Sequence, residues 1–110
     1  MIKRVLFLAL VFAAPTRLVS AQDTNVSVDM IGIGSMSCAH WRSTKEHRLE
    51  GTVWIYGFWT GLNYVAAASG QTQAKTEVGE MAAKVEETCA QKTSQTLANA
   101  AWTAYLGSKR

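Results

Sequence analysis

The sequence predicts a small all-α protein, a single-domain bundle of about four helices joined by one disulfide. Three observations support this fold class. The chain has only 110 residues, which suits one domain. Apolar residues recur at helical spacing in successive segments. Two cysteines, Cys38 and Cys89, are the only ones in the chain, and they follow an N-terminal segment that is typical of an export signal.

That segment is predicted to be a cleavable signal peptide over residues 1–21. Lys3 and Arg4 precede an apolar run over residues 5–14, which is too short to span a bilayer. Small residues end at Ala21, where we place the cleavage. An uncleaved membrane anchor is the alternative. Cleavage would leave residues 22–110 in the periplasm or outside the cell.

Loss of the signal changes the charge balance. The full chain has 11 basic and 8 acidic residues, and Lys3, Arg4 and Arg17 leave with the signal. The mature chain then has 8 of each, so it is close to neutral at pH 7. Nucleic-acid binding is not expected, because such proteins carry a basic face that neutralises phosphates.

The two cysteines are predicted to pair in an oxidising compartment. A metal site is the alternative, but only His40 and His47 could join, and neither has a ligand spacing typical of zinc sites. A catalytic thiol is a third possibility. We expect no metal and no cofactor.

The mature chain is predicted to begin with an extended or loosely ordered leader over residues 22–36, with room for a short edge strand. Ser37 can cap a first helix that runs to about Lys45. Residues 47–50 are expected to form a turn or to begin the next helix.

Residues 51–74 contain no charged side chain and predict a central helix with a wide apolar face. We expect Trp54, Phe58 and Leu62 to lie on that face, with Trp59 beside them. Gly57 and Gly61 have the spacing of a close helix contact, so another backbone is predicted to approach them. A membrane span is the alternative. We do not expect it, since a single crossing would separate two paired cysteines.

Two further helices are predicted. The first, over residues 77–89, is capped by Thr76 and turns Val85 and Cys89 toward the core, with charged residues opposite. The second covers residues 95–106, with Thr93 or Ser94 as its cap and Gly107 as its end. Its inner side is expected to include Leu97, Ala98, Ala101, Trp102 and Tyr105.

Catalysis has little support in the sequence. His40 and His47 lack an accompanying nucleophile motif, so solvated histidines are the expected reading rather than general bases. The four tryptophans could stack on sugars, but in so small a domain we expect core aromatics. No catalytic residue is therefore assigned, and the chain is predicted not to be an enzyme.

The order of motifs resembles the HdeA/HdeB-like small periplasmic proteins. Ser37-Cys38, residues 54–63 (WIYGFWTGLN) and the segment from Thr88 to Lys92 before Leu97 carry the resemblance. The resemblance implies an all-α fold with one disulfide and an acid-stress chaperone that binds unfolded clients. This chain departs from that group where Gln91-Lys92 replaces a common proline.

The aromatic-glycine helix also resembles that of periplasmic immunity proteins that block cell-wall enzymes. An inhibitor that docks on one such enzyme is therefore the alternative function. Trp54, Phe58, Trp59, Leu62 and Val85 are the residues predicted to form the core and to contact clients if it opens. The oligomeric state stays open.

Overall fold

The computed structural model describes residues 27–109, and this part of the chain is all-α, as predicted. The signal peptide and its cleavage site lie outside the described residues. The elements, in chain order, are a 3₁₀ turn (Gly32–Ser35), α1 (Cys38–Ser43), α2 (Lys45–Ala68), α3 (Val78–Gln91) and α4 (Leu97–Gly107).

Side-chain caps define where three of the helices begin. The hydroxyl of Ser37 accepts a hydrogen bond from the backbone N–H of His40 at 3.0 Å, as expected for the cap of α1. Thr44 caps α2 in the same way, so α2 begins at Lys45 and includes the segment predicted as a turn or a helix start. Thr96 caps α4, and the predicted caps at Thr93 or Ser94 are wrong.

The start of α3 also differs from the prediction, by one residue. Its N-cap is Glu77, whose side chain forms no capping bond, and Thr76 is not the cap. The carboxylate still lies near the helix N-terminus, where the helix dipole favours negative charge. The predicted amphipathic pattern of α3 is confirmed in its second half, because Val85 and Cys89 are fully buried.

One hydrophobic core joins all of the elements. Trp41 of α1, Ile55 and Trp59 of α2, and Tyr105 of α4 are its largest buried side chains. The ring edge of Trp59 meets the ring of Tyr105 with centroids 5.2 Å apart, which is a favourable aromatic arrangement. Small residues complete the α4 side of the core: Ala98, Ala100, Ala101 and Ala104.

The predicted disulfide is confirmed. Cys38 at the start of α1 is bonded to Cys89 near the end of α3, with Cα atoms 5.6 Å apart. Backbone hydrogen bonds from Cys38 N–H to the Gln95 carbonyl and from Leu97 N–H to the Met36 carbonyl, both 2.8 Å, tie the same region to the start of α4. The disulfide therefore lies where three helices meet.

The leader is more ordered than predicted over residues 32–36. Ile33 is only 4% exposed, and the indole of Trp54 covers Gly34 so closely that a Cβ there would overlap the ring. The Trp54 indole N–H also donates to the Ile31 carbonyl at 3.0 Å. The contact with Trp54 thus holds in place a segment whose own sequence has only a weak preference for helix or strand.

Helix α2 is rotated relative to the prediction. Ile55 and Trp59 face the centre of the core, whereas Trp54, Phe58 and Leu62 pack at its margin. Because α2 has no charged residue after residue 50, its sequence does not distinguish clearly between a buried side and a solvent-exposed side, and its rotation could not be predicted. Within residues 27–109, no helix has the length and apolar character needed to cross a bilayer.

The predicted role of Gly57 and Gly61 is wrong. A Cβ added at either position would meet no atom within 4 Å, so no backbone from residues 27–109 approaches them closely. The closely packed glycine of α2 is Gly51, where an added Cβ would overlap the buried Trp41 indole. The small residue needed for core packing therefore lies about two to three helical turns before the predicted pair.

Candidate functional site

The surface of α2 that points away from the core is unusually apolar. Five of its residues follow one another at spacings of three or four, which places them on one helical stripe. We call this stripe the outer face of α2; it consists of Leu49, Val53, Gly57, Thr60 and Tyr64. At 1.5 Å per residue, the stripe is about 22 Å long.

The side chains of the outer face are well exposed. Leu49 is 68% exposed, Val53 61% and Tyr64 78%. Between them, Gly57 and the neighbouring Gly61 leave the helix backbone uncovered. Folding of the chain does not require these groups to be apolar, so their exposure indicates a surface that can be buried by a partner.

The absence of charge extends this surface toward the C-terminal end of α2. No Asp, Glu, Lys or Arg occurs over residues 51–74. A binding partner would therefore remove no ionic side chain from water along most of this helix, which avoids a large desolvation cost. A convex apolar helix face of this kind fits a groove in a second protein.

The residues predicted to contact clients lie elsewhere. Trp59 and Val85 are fully buried, and Trp54, Phe58 and Leu62 pack against the core and are partly buried. The structure brings these five together as core residues and leaves none of them fully accessible. Leu49, Val53 and Tyr64 were missed, although the absence of charge over residues 51–74 was an available signal for Val53 and Tyr64.

An Asn side chain fixes the loop that follows α2. Asn63 forms a pair of hydrogen bonds with the backbone of Ala74, donating to its carbonyl at 3.2 Å and accepting from its N–H at 3.0 Å. The hydroxyl of Tyr105 donates to the same Asn63 Oδ1 at 2.8 Å. The polar group of Asn63 therefore holds the loop against α4.

A polar cluster lies where α1 and α2 meet α3. Glu86 accepts two hydrogen bonds from Arg48, at 2.8 and 2.6 Å, and forms an ion pair with Nε of Arg42 at 3.1 Å. Hydrogen bonds from Arg48, and then the charges of Arg48 and Arg42, hold the pKa of Glu86 below its ordinary value, although partial burial acts in the opposite direction.

The same corner contains Trp41 and the two histidines. The guanidinium of Arg48 lies 4.3 Å from the centre of the Trp41 ring, a cation–π distance. His40 and His47 stack on each other with ring centroids 4.0 Å apart. The two rings therefore contact each other at this corner and remain partly exposed.

Within residues 27–109, no group of three or more His, Cys, Asp or Glu side chains could hold a metal ion. The cysteines are consumed by the disulfide, which leaves no free thiol in this part of the chain. The chain matches no protein-family model, no curated protein and no solved structure at a significant level.

Proposed function

We propose that the mature chain is a non-enzymatic, protein-binding protein of the periplasm, and that its binding surface is the outer face of α2. The observation that carries this proposal is the exposure of Leu49, Val53 and Tyr64 on an uncharged stripe that the fold itself does not bury. The resemblance of the sequence to the HdeA/HdeB-like proteins also supports a small binding protein of this compartment.

A protein is a better partner for this surface than a nucleic acid. The mature chain is close to neutral, since 8 basic residues balance 8 acidic ones. Phosphate backbones are bound by clustered Lys and Arg side chains, and the outer face has none. An apolar groove on another protein would bury Val53 and Tyr64 and could contact the helix backbone at Gly57.

The geometry favours a mode in which the chain docks on one partner. The outer face is present in the folded protein, and a disulfide and a hydrogen-bonded loop hold the surrounding elements. A preformed surface avoids the ordering cost of binding. This is the behaviour of an immunity-type inhibitor that docks on a periplasmic cell-wall enzyme, and we propose it as the leading mode.

An acid-stress chaperone is the second candidate. The Arg48–Glu86 pair favours it, because acid neutralises the carboxylate through which α3 holds Arg48 of α2. Protonation of all eight carboxyl groups would leave the mature chain at about +10, counting 8 basic residues and both histidines. Self-repulsion of that size opposes a compact state. Loosening of the bundle would then expose Trp59, Phe58 and Val85 to unfolded clients.

Two lysine substitutions provide the test of the binding surface. Gly57→Lys places a charge in the middle of the outer face, where nothing lies within 4 Å of the new Cβ. Because lysine is a better helix former than glycine, it should not destabilise α2. Gly79→Lys is the matched control, since Gly79 is also exposed and open but lies on α3.

The mature protein and both variants are used to capture partners from periplasmic extract at pH 7 and at pH 3. We expect one stoichiometric partner at pH 7, retained by Gly79→Lys and lost with Gly57→Lys. Equal capture by both variants would exclude the outer face of α2. Many partners at pH 3 and none at pH 7 would make the chaperone the correct mode.

A further inference from the structure

The break between α1 and α2 brings together two histidines that are separated in sequence. His40 and His47 are seven residues apart, and a continuous helix would place them about 10 Å apart along its axis. Thr44 interrupts the helix with an extended backbone. The two imidazole rings are consequently stacked, with centroids 4.0 Å apart and planes at 25°.

Both histidines occupy the same position in a capped helix. The backbone N–H of His40 donates to the Ser37 hydroxyl at 3.0 Å, and that of His47 donates to the Thr44 hydroxyl at 3.0 Å. Caps of this kind fix the first turn of a helix. The disulfide also holds the start of α1 to α3. The backbone that carries the two rings is therefore fixed by the fold.

Ser43 determines which nitrogen of His47 carries the proton. Its hydroxyl oxygen lies 2.6 Å from the His40 carbonyl oxygen, which can only accept, so the single hydroxyl proton is directed there. The same hydroxyl lies 3.0 Å from Nδ1 of His47 and accepts a hydrogen bond from Nδ1–H. The neutral ring therefore keeps its lone pair on Nε2, and a second bond of this kind commonly orients a histidine that binds a metal ion.

The remaining ring nitrogens have no partner in the described part of the chain. Within residues 27–109, neither ring forms a further hydrogen bond or an ion pair with a carboxylate. Both side chains are half-buried, so an ion from solvent can reach them. Imidazole is the commonest metal ligand in proteins, and here two imidazoles lie side by side.

The charges around the two rings balance. Residues 42–50 carry three cationic and two anionic side chains: Arg42, Lys45, Arg48, Glu46 and Glu50. Glu86 of α3 adds a third carboxylate, which contacts both arginines. The corner thus has three charges of each sign, and a divalent cation meets no net positive charge there.

From this arrangement we infer that His40 and His47 form a two-imidazole site for a divalent transition-metal ion, with copper(II) bound most tightly. Bonds from imidazole nitrogens to such ions are about 2 Å long. One ion can therefore bridge two rings at this separation when these partly exposed rings tilt out of their stack. Imidazole suits copper, nickel and zinc, and copper(II) heads the order of affinity. No group of three protein ligands occurs within residues 27–109, so water completes the coordination.

This inference concerns the isolated protein and does not depend on the proposed binding function. The oxidised mature chain is titrated with copper(II) chloride at pH 7 by calorimetry, and its electron paramagnetic resonance spectrum gives the number of bound nitrogens. We expect one copper ion per chain, coordinated by two imidazole nitrogens. Zinc(II) is diamagnetic, so the ¹⁵N resonances of both imidazoles should shift together at one equivalent of zinc. The zinc measurement uses the wild type alone and needs no variant to fold.

His40→Gln and His47→Gln should each abolish this binding, since each removes one of two ligands. Ser43→Ala keeps both ligands and should weaken copper binding about tenfold, because it removes the acceptor that orients His47. Ser69→Ala is the matched control and should leave the affinity unchanged. Ser69 is also an exposed serine whose hydroxyl donates to a carbonyl of its own helix, but it lies at the far end of α2.

Equal copper affinity in the wild type and in the double variant His40→Gln/His47→Gln would overturn the inference, because the ion would then be bound elsewhere on the chain. A spectrum with one bound nitrogen, or one ion bound separately by each ring, would also overturn it, since the rings would not form a single site. Equal effects of Ser43→Ala and Ser69→Ala would refute the orienting role of Ser43.

Discussion

Helices α2 and α3 pack on the same core, but α2 presents an apolar surface to solvent and α3 presents a charged one. The outer face of α2 carries Leu49, Val53 and Tyr64 with no charge beyond residue 50. The exposed side of α3 carries Glu80 and Glu87, as is usual for a helix at the surface of a monomeric domain. The fold therefore requires only the inner side of each helix to be apolar.

This difference separates the requirements of folding from those of binding. The charged side of α3 keeps a small domain soluble and needs no partner. The apolar side of α2 adds nothing to the core of the chain, because Ile55 and Trp59 already provide the buried contacts. The exposed apolar residues of α2 are not needed for folding, and they are the residues that we propose contact a partner.

Removing the disulfide should have the largest effect, because it releases α3 from the helix that precedes α2. Replacing Cys38 and Cys89 together by serine opens a loop defined by a sequence separation of 51 residues. Loop entropy predicts a loss of about 4 kcal/mol in the free energy of unfolding. Urea denaturation of both proteins measures it. An unchanged midpoint would mean that packing alone positions α3.

Identical substitutions on the two sides of α2 should have opposite outcomes. Gly51→Leu inserts a side chain where even a Cβ overlaps Trp41, so we expect a loss of about 3 kcal/mol in unfolding free energy. Gly61→Leu enters open space and replaces a poor helix former, so stability should stay the same or rise by up to about 1 kcal/mol. Thermal unfolding distinguishes the two. Equal losses would show that the outer side of α2 is not free.

How well the sequence predicted each helix depended on charge contrast. In α3, charged residues alternate with apolar ones at helical spacing, so the buried positions of Val85 and Cys89 could be predicted. In α2, no residue after Glu50 is charged and most are apolar or small, so several rotations satisfy the pattern equally well. The fold class and the disulfide were accessible from sequence, whereas the rotation of α2 was not.

The candidate site was missed for a related reason. A sequence pattern shows that α2 contains more apolar residues than one face needs, but only tertiary packing decides which of them stay exposed. Asn63 adds to the difficulty, because a polar residue normally predicts the solvent side. Here its amide is satisfied by Ala74 and Tyr105, two groups that are distant in sequence.

Substitution of Asn63 therefore measures how much a polar side chain on the inner side of α2 stabilises the fold, compared with one on the outer side. Asn63→Ala removes three hydrogen bonds and leaves the nearly buried Tyr105 hydroxyl and Ala74 backbone groups without partners. We expect a loss of about 1–2 kcal/mol in unfolding free energy. Thr60→Ala on the outer side of α2 is the control and should change stability by less than about 0.5 kcal/mol. If both variants lose the same stability, the hydrogen bonds of Asn63 contribute no more than those of an exposed residue.

The smallest effect is expected where Arg48 of α2 and Glu86 of α3 form an ion pair. The pKa of Glu86 is lowered by its arginine partners, so its pairing stabilises the folded state above the ordinary carboxyl value of 4.5. That contribution is lost as pH falls below this value and through the lower pKa of the folded state. Because both arginines are partly exposed, the contribution should be no more than about 1 kcal/mol.

Urea midpoints of the wild type, Glu86→Gln and Glu87→Gln between pH 7 and pH 3 measure this contribution. Glu86→Gln should be the less stable variant at pH 7, and its difference from the wild type should shrink as pH falls, since acid neutralises the same carboxylate. Glu87→Gln should follow the wild-type curve. A difference between wild type and Glu86→Gln that is constant with pH would show that shape, and not charge, joins α2 to α3 at this position.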